Sequence, residues 1–137
     1  LEQKELFDRV DDAVCAVRSA LEEGILPGAG LALYQEGLLL SNSKNSSKKI
    51  AKAILGGALL EPLRQIQENA GIQNQRVYNE KNIGLDVKSG KEGDLIEMGI
   101  IDPLKVTKQA LQNAVSVAVT ILSTNAIVTM ARTYETK

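Results

Sequence analysis

Histidine and tryptophan are absent from these 137 residues, and cysteine occurs once, at Cys15. Without histidine, His-based catalysis and His metal sites are excluded. A lone thiol has no partner for a disulfide within the chain, which argues against a disulfide scaffold and fits a reducing compartment. Cys15 itself, one step past Val14, reads as a helix packing residue, since no histidine is there to activate it. Aromatic residues are only 3% of the chain, so a core must come from Ala, Val, Ile and Leu, a palette suited to helices packed closely on helices. Neither sign of charge is in excess. Sixteen basic residues against seventeen acidic ones leave a net charge of -1, which offers no broad footprint for nucleic acid or an anionic membrane.

The chain opens at Leu1 with no charged leader or apolar signal core, and reads as a piece cut from something longer. One stretch, Gln109 to Met130, carries no charged residue and is long enough to span a bilayer. Its Gln109, Gln112, Asn113, Ser116 and Thr120 point instead to a helix buried in protein.

Hydrophobic residues make up 44% of the chain, and a unit of this length can bury roughly two thirds of its unfolded surface, so one compact domain is expected. From Lys4 to Glu23, Leu6, Val10, Ala13, Val14, Val17 and Leu21 recur at helical steps, with Gly24 as the natural stop. Pro27-Gly28-Ala29-Gly30 makes a tight connection to a short helix, Leu31 to Gln35, which Gly37 should interrupt. A polar loop from Ser41 to Lys49 leads to a third helix at Ile50, expected to break between Leu60 and Pro62 because Pro62 lacks an amide. Helix resumes through Leu63 and Ile66 to Gly71, Arg76 to Asn82 is a hairpin candidate, and Asp94 to Met98 forms one or two turns ended by Gly99. Asp102-Pro103 reads as an N-cap and first helical position for a long helix through Leu122. Ala126 to Met130 is a short strand candidate. The fold class is all-α with a minor β element.

Spacing alone gives weak candidates for chemistry. The Pro27-Gly28-Ala29-Gly30 turn before a helix could bring backbone amides to a phosphate or ribose, but it matches neither a dinucleotide fingerprint nor a P-loop, and a plain turn is the simpler reading. Asp12, two positions from Val10 and Val14, points away from their stripe and on that ground belongs to a solvated face. Asp102 is accounted for as an N-cap, and Lys48 and Lys49 as loop charges.

Three separated stretches are far more specific together. They are Arg9-Val10-Asp11-Asp12-Ala13 running into Glu22-Glu23-Gly24-Ile25-Leu26-Pro27-Gly28-Ala29-Gly30, then Glu61-Pro62-Leu63-Arg64-Gln65-Ile66 with Asn69-Ala70-Gly71, then Gly99-Ile100-Ile101-Asp102-Pro103 with Lys105-Val106. In order and spacing this resembles the carboxyl-terminal part of a group I chaperonin (the GroEL family), over nearly the whole chain; Ala110-Leu111-Gln112-Asn113-Ala114 and Ser116-Val117-Ala118 continue the likeness.

The resemblance implies a helical bundle like the second half of a chaperonin equatorial domain, with a small β hairpin or strand element. Residues 1–26 would be the returning intermediate-domain segment and residues 27–137 the carboxyl-terminal half of the equatorial ATP-binding domain. It implies ATP as the ligand. Asp12 matches the aspartate that helps position the attacking water. Gly28 and Ala29 match the turn beside the sugar and base, where the family commonly has three glycines; Ala29 is then expected to avoid positive φ. Asp86-Val87-Lys88 aligns with an Asn-Ala-Ala segment on the adenine side, Ile100 would pack on the base, and Asp102 matches the ribose-binding aspartate. The phosphate loop and the Mg²⁺ ligands belong to the amino-terminal equatorial half, so no metal ligand is assignable here. Unfolded client proteins and a co-chaperonin would be met by the apical domain, in a homo-oligomeric double ring, with no nucleic acid and no membrane as partner. The compartment implied is the bacterial cytoplasm, or a mitochondrial or plastid-type interior. Two other readings stand beside this one: a diverged paralogue with weak or no turnover, on the strength of Ala29, Val87 and Lys88, and a non-enzymatic helical interaction module.

Overall fold

The computed structural model describes residues 2–42, 48–72, 76–126 and 128. Among these the order is α1 (Glu2–Glu23), β1 (Ile25–Pro27), α2 (Leu31–Ser41), α3 (Lys49–Asn69), β2 (Ile83–Asp86), β3 (Lys91–Asp94), β4 (Ile101–Pro103) and α4 (Leu104–Leu122). Four helices dominate, and the strands form two antiparallel pairs, β1 with β4 and β2 with β3. The expectation of a helical fold with a minor β element is met.

The core lies where α2 and α3 pack and the β2–β3 hairpin closes over them. Leu31, Tyr34, Leu63, Tyr78 and Leu95 form it, with Ala29, Leu38, Leu60, Leu85 and Ile100 packed against it. Removing each such leucine from water contributes about 1.5–3 kcal/mol. On α3 the buried residues Gly56, Leu59, Leu63 and Gln67 follow at steps of three and four, one inward stripe. Tyr78 meets Tyr34 edge to face with ring centroids 6.4 Å apart.

Two expected interruptions are not there. Gly37 does not stop α2, which runs on to Ser41. It is where α3 comes closest: a Cβ on Gly37 would lie 2.8 Å from the Gly56 carbonyl oxygen, and one on Gly56 would lie 2.4 Å from Ser41 Oγ. Pro62 does not break α3 either. Leu59 and Leu63, both buried on either side of it, hold the helix on one line against the core, and that packing offsets the missing amide.

The hairpin is displaced from the expected Arg76 to Asn82. Its strands pair Ile83 with Asp94 and Asp86 with Lys91 around a turn closed by the Gly90 amide donating to the Asp86 carbonyl, 2.8 Å. Residues 76–79 are irregular, committed to burying Tyr78. Residues 95–99 form hydrogen-bonded turns ended by Gly99 at φ +75°, as expected. Within the SNSKNSSKK run, Ser41 and Lys49 belong to helix ends and residues 43–47 lie outside the described residues, as does most of the strand candidate at 126–130.

α1 and α4 have no buried residue. α1 leaves its stripe and Cys15 exposed, so Cys15 is not a packing residue in this chain. α4 likewise is not enclosed in protein, with Val106, Val117 and Ile121 all at least half exposed. Among the described residues no helix is long and apolar enough to cross a membrane.

Candidate functional site: the β1–β4 junction and the glycine turn

Gly24, at φ +94°, ends α1 by donating its amide to the Ala20 carbonyl, and lets the chain turn into β1. β1 then pairs with β4, Leu26 opposite Asp102 and Pro27 opposite Ile101. One step further the Gly28 amide donates to the Ile100 carbonyl at 2.9 Å, so the glycine turn and Ile100 are joined. A Cβ on Gly28 would lie 3.1 Å from the Ile100 carbonyl carbon, a close approach of two backbones that favours glycine.

Ala29 and Gly30 follow at φ +54° and +75°. The expectation that Ala29 would avoid positive φ is therefore overturned. The chain must reverse here to start α2 while Gly30 sits against α3, where a Cβ would lie 2.9 Å from the Leu63 amide nitrogen. Left-handed geometry at an alanine costs about 1–2 kcal/mol, and the surrounding contacts hold it.

Asp102 is not an N-cap. It lies within β4, and α4 begins two residues later behind Pro103, with no side-chain cap. Its carboxylate is half-buried and makes no hydrogen bond or ion pair among the described residues. Burial raises its pKa above the ordinary aspartate value.

Asp86, Val87 and Lys88 sit where β2 enters its turn, and the neighbouring Leu85 packs on the same core as Ala29 and Ile100. The Asp86 carboxylate is already engaged: Oδ1 accepts the Lys88 amide at 2.9 Å and Oδ2 accepts the Ser89 hydroxyl at 2.6 Å. These bonds, Ser89 first, lower its pKa. Val87 is half-buried and Lys88 exposed. No hydrogen bond or ion pair links Asp86 to Asp102, so the structure gathers Gly28, Ala29, Ile100 and Asp102 directly and Asp86 to Lys88 only through the shared core.

Asp12 stands apart, exposed on α1 and bonded to none of these residues. It shares its helix face with Ala16, Ser19 and Glu23, at steps of four, three and four. Ala16 and Ser19 are half-buried, so this is the face that α1 turns toward the rest of the fold. Two ion pairs fix that direction, Glu22 with Lys105 and Glu23 with Lys108. The first lowers the Glu22 pKa and raises that of Lys105. Sequence reasoning missed both pairs and the β1–β4 ladder. The signal available was the acidic doublet Glu22-Glu23 against Lys105 and Lys108 one turn apart.

A groove of about 820 Å³ opens between β1, α2 and α4, lined by Leu26, Leu33, Leu39, Leu104 and Leu111 among others. None of Asp12, Gly28, Ala29, Asp86, Val87, Lys88, Ile100 and Asp102 lines it. Its Gln35 amide is spent on the Glu80 carbonyl and its Lys108 on Glu23. Among the described residues no group of three or more Cys, Asp or Glu could hold a metal.

The glycine turn, β4 and the start of α4 thus form one unit, and the sequence signature of a family extends across it. The profile of the TCP-1/cpn60 chaperonin family matches residues 2–132. This chain belongs to that family. The chaperonin chain is also 42% identical to the chaperonin GroEL of Orientia tsutsugamushi (strain Boryong), over 94% of its own length and 25% of the relative's. It therefore spans about a quarter of the length of that relative.

Proposed function

We propose that this chain supplies the sugar and base side of the ATP site of a protein-folding chaperonin, together with the helix that carries its hydrolytic aspartate. Residues 1–26 then form the returning intermediate-domain segment and residues 27–137 the carboxyl-terminal half of the equatorial domain. The observation that supports this most is the half-buried, unpartnered carboxylate of Asp102 beside the Gly28–Ile100 backbone contact. A half-buried carboxylate with no protein partner has both oxygens free to accept, which suits a pair of hydroxyl donors such as a ribose presents. Gly28 carries no side chain where it meets Ile100, and Ile100, half-buried at the core's edge, offers an apolar face for a base.

Asp86 can still accept from an adenine amino group, because its two internal bonds leave lone pairs on both oxygens. Lys88 beside it is exposed. Asp12 works by position: a carboxylate held over the γ-phosphate orients the attacking water and needs no shifted pKa. When bound, Mg²⁺ would neutralise charge on the phosphates, held by residues outside this chain. Clients, a co-chaperonin and a double ring belong to the assembled chaperonin, in the bacterial cytoplasm.

A chimera decides this: the Orientia chaperonin GroEL with its corresponding quarter replaced by this sequence. Mg²⁺-dependent ATP hydrolysis is expected from the chimera and a negligible rate from the 137-residue chain alone. Asp12→Ala in the chimera should bind ATP nearly as before while single-turnover hydrolysis falls about a hundredfold, roughly 2.7 kcal/mol of transition-state stabilisation. Unchanged hydrolysis of bound ATP by Asp12→Ala would remove the catalytic assignment. Loss of ATP binding in the unmutated chimera would instead favour the diverged-paralogue reading, for which Ala29 in its left-handed conformation is the supporting observation.

A further inference from the structure

The turn from Gly28 to Leu31 is held at both ends. The Gly28 amide donates to the Ile100 carbonyl at 2.9 Å, and the Leu31 amide closes the turn on the Gly28 carbonyl at 3.0 Å. As α2 begins, the Gly30 carbonyl accepts the Tyr34 amide, and Gly30 itself is wedged against the Leu63 backbone. Positive φ at both central residues, +54° at Ala29 and +75° at Gly30, makes this a type I′ turn. Such turns favour Asn, Asp or Gly at the first central position. Here an alanine stands there, between two glycines that close backbone contacts require.

A turn pinned at both ends rearranges by rotating its central peptide, here the one joining Ala29 to Gly30. That rotation carries type I′ into type II′ and exchanges the sides taken by the Ala29 carbonyl and the Gly30 amide. Type II′ demands φ about +60° with ψ about −120° at the first central residue, the mirror image of ordinary extended backbone. Glycine enters that region freely, whereas a Cβ is shut out of it by contact with its own backbone. The left-handed helical region, by contrast, is open to alanine at a cost. Ala29 can therefore hold the I′ state and cannot reach II′. It also packs against the core, an apolar contact that helps to hold the costly conformation. A glycine at position 29 would leave both states open.

We propose that Ala29 is a positioning residue: it keeps the Ala29–Gly30 peptide in a single orientation, so that the turn is already set for nucleotide before ATP arrives. The role rests on the ATP site proposed above. Gly28 meets Ile100, and one step back along the same ladder Pro27 pairs with Ile101 and Leu26 with Asp102, so a flip at Ala29 would alter the polar groups close to the proposed sugar contact. One orientation presents a donor where the other presents an acceptor, and a ligand fitted to one binds the flipped turn poorly. A site open to both states binds with an affinity reduced by the competent fraction, which for two states of similar energy is roughly one half to one fifth.

Nuclear magnetic resonance on the isotope-labelled chain reads the turn without any ligand. The parent and Ala29→Ser, which keeps a Cβ, should each show a Gly30 amide free of exchange. Ala29→Gly should add microsecond-to-millisecond exchange at Gly30 and Leu31 and leave the amides of Leu59 and Leu63 unchanged. In the chimera, ATP affinity should fall about two- to fivefold in Ala29→Gly and stay within about 1.5-fold of the parent in Ala29→Ser, although glycine relieves the backbone cost that alanine carries. A role in stability alone would move the denaturation midpoint of Ala29→Gly and leave exchange and affinity as in the parent, which overturns the proposal. Equal exchange at Gly30 in the parent and in Ala29→Gly does the same. So does a loss of affinity in Ala29→Ser as large as in Ala29→Gly, because the methyl itself would then be the contact. If the unmutated chimera fails to bind ATP, the reading of the site falls first, and the role of Ala29 with it.

Discussion

Burial holds the carboxyl of Asp102 above the ordinary aspartate range, with no hydrogen bond or ion pair among the described residues to offset it. The folded state therefore holds this proton more tightly than the unfolded chain does. Unfolding free energy accordingly falls as pH rises from the ordinary aspartate value through the raised one, and the deficit is complete above it. Asp102→Asn removes that loss. In denaturant titrations of the 137-residue chain, the variant should match the parent at acidic pH and equal or exceed it at neutral pH; destabilisation at neutral pH would show that the carboxylate has a stabilising partner. Ala29 follows similar logic: a strained backbone held by its surroundings next to a candidate site.

Gly56 and Gly57 are neighbours on α3 with opposite surroundings. A Cβ on Gly56 would collide with Ser41 Oγ and lie 2.8 Å from the Gly37 carbonyl, whereas one on Gly57 meets nothing within 4 Å. Gly56→Ala should push α2 and α3 apart and destabilise the chain by about 1–3 kcal/mol, while Gly57→Ala should stabilise it by about 0.5–1 kcal/mol through helix propensity alone. Chemical denaturation of the two variants side by side checks both signs. The pair also explains what was legible in the sequence. α1 and α4 could be read because their apolar spacing is local, and the turn ended by Gly99 because a left-handed glycine is a local need. The continuity of α2 through Gly37 and of α3 through Pro62 could not, since each depends on what the other helix presents. β3 was hidden because Lys91-Glu92-Gly93-Asp94 has no apolar alternation, and Asp102 was misread as a cap because its true partner, Leu26, is 76 positions away in sequence. For the site, the family landmarks located Gly28, Ile100 and Asp102, which the fold joins. They gave no hint that the Asp86 carboxylate is bound up in its own turn.

Taken as one body, the chain is stable at one end and bare at the other. α2, α3 and the hairpin enclose Leu31, Leu63 and Leu95, whereas α1 from Glu2 to Cys15 has only exposed residues, about 21 Å of helix. An isolated helix of that length is marginal in water. Its end is fixed by the β1–β4 ladder and the Glu22–Lys105 and Glu23–Lys108 pairs, but exposed ion pairs are screened by salt and hold direction more than they add stability. Hydrogen exchange separates the two regimes. In dilute chain the amides of Glu5 to Cys15 should exchange orders of magnitude faster than those of Leu59 to Gln67, which open only with the core. Equal protection of both sets would mean that some part of the chain covers α1 in solution.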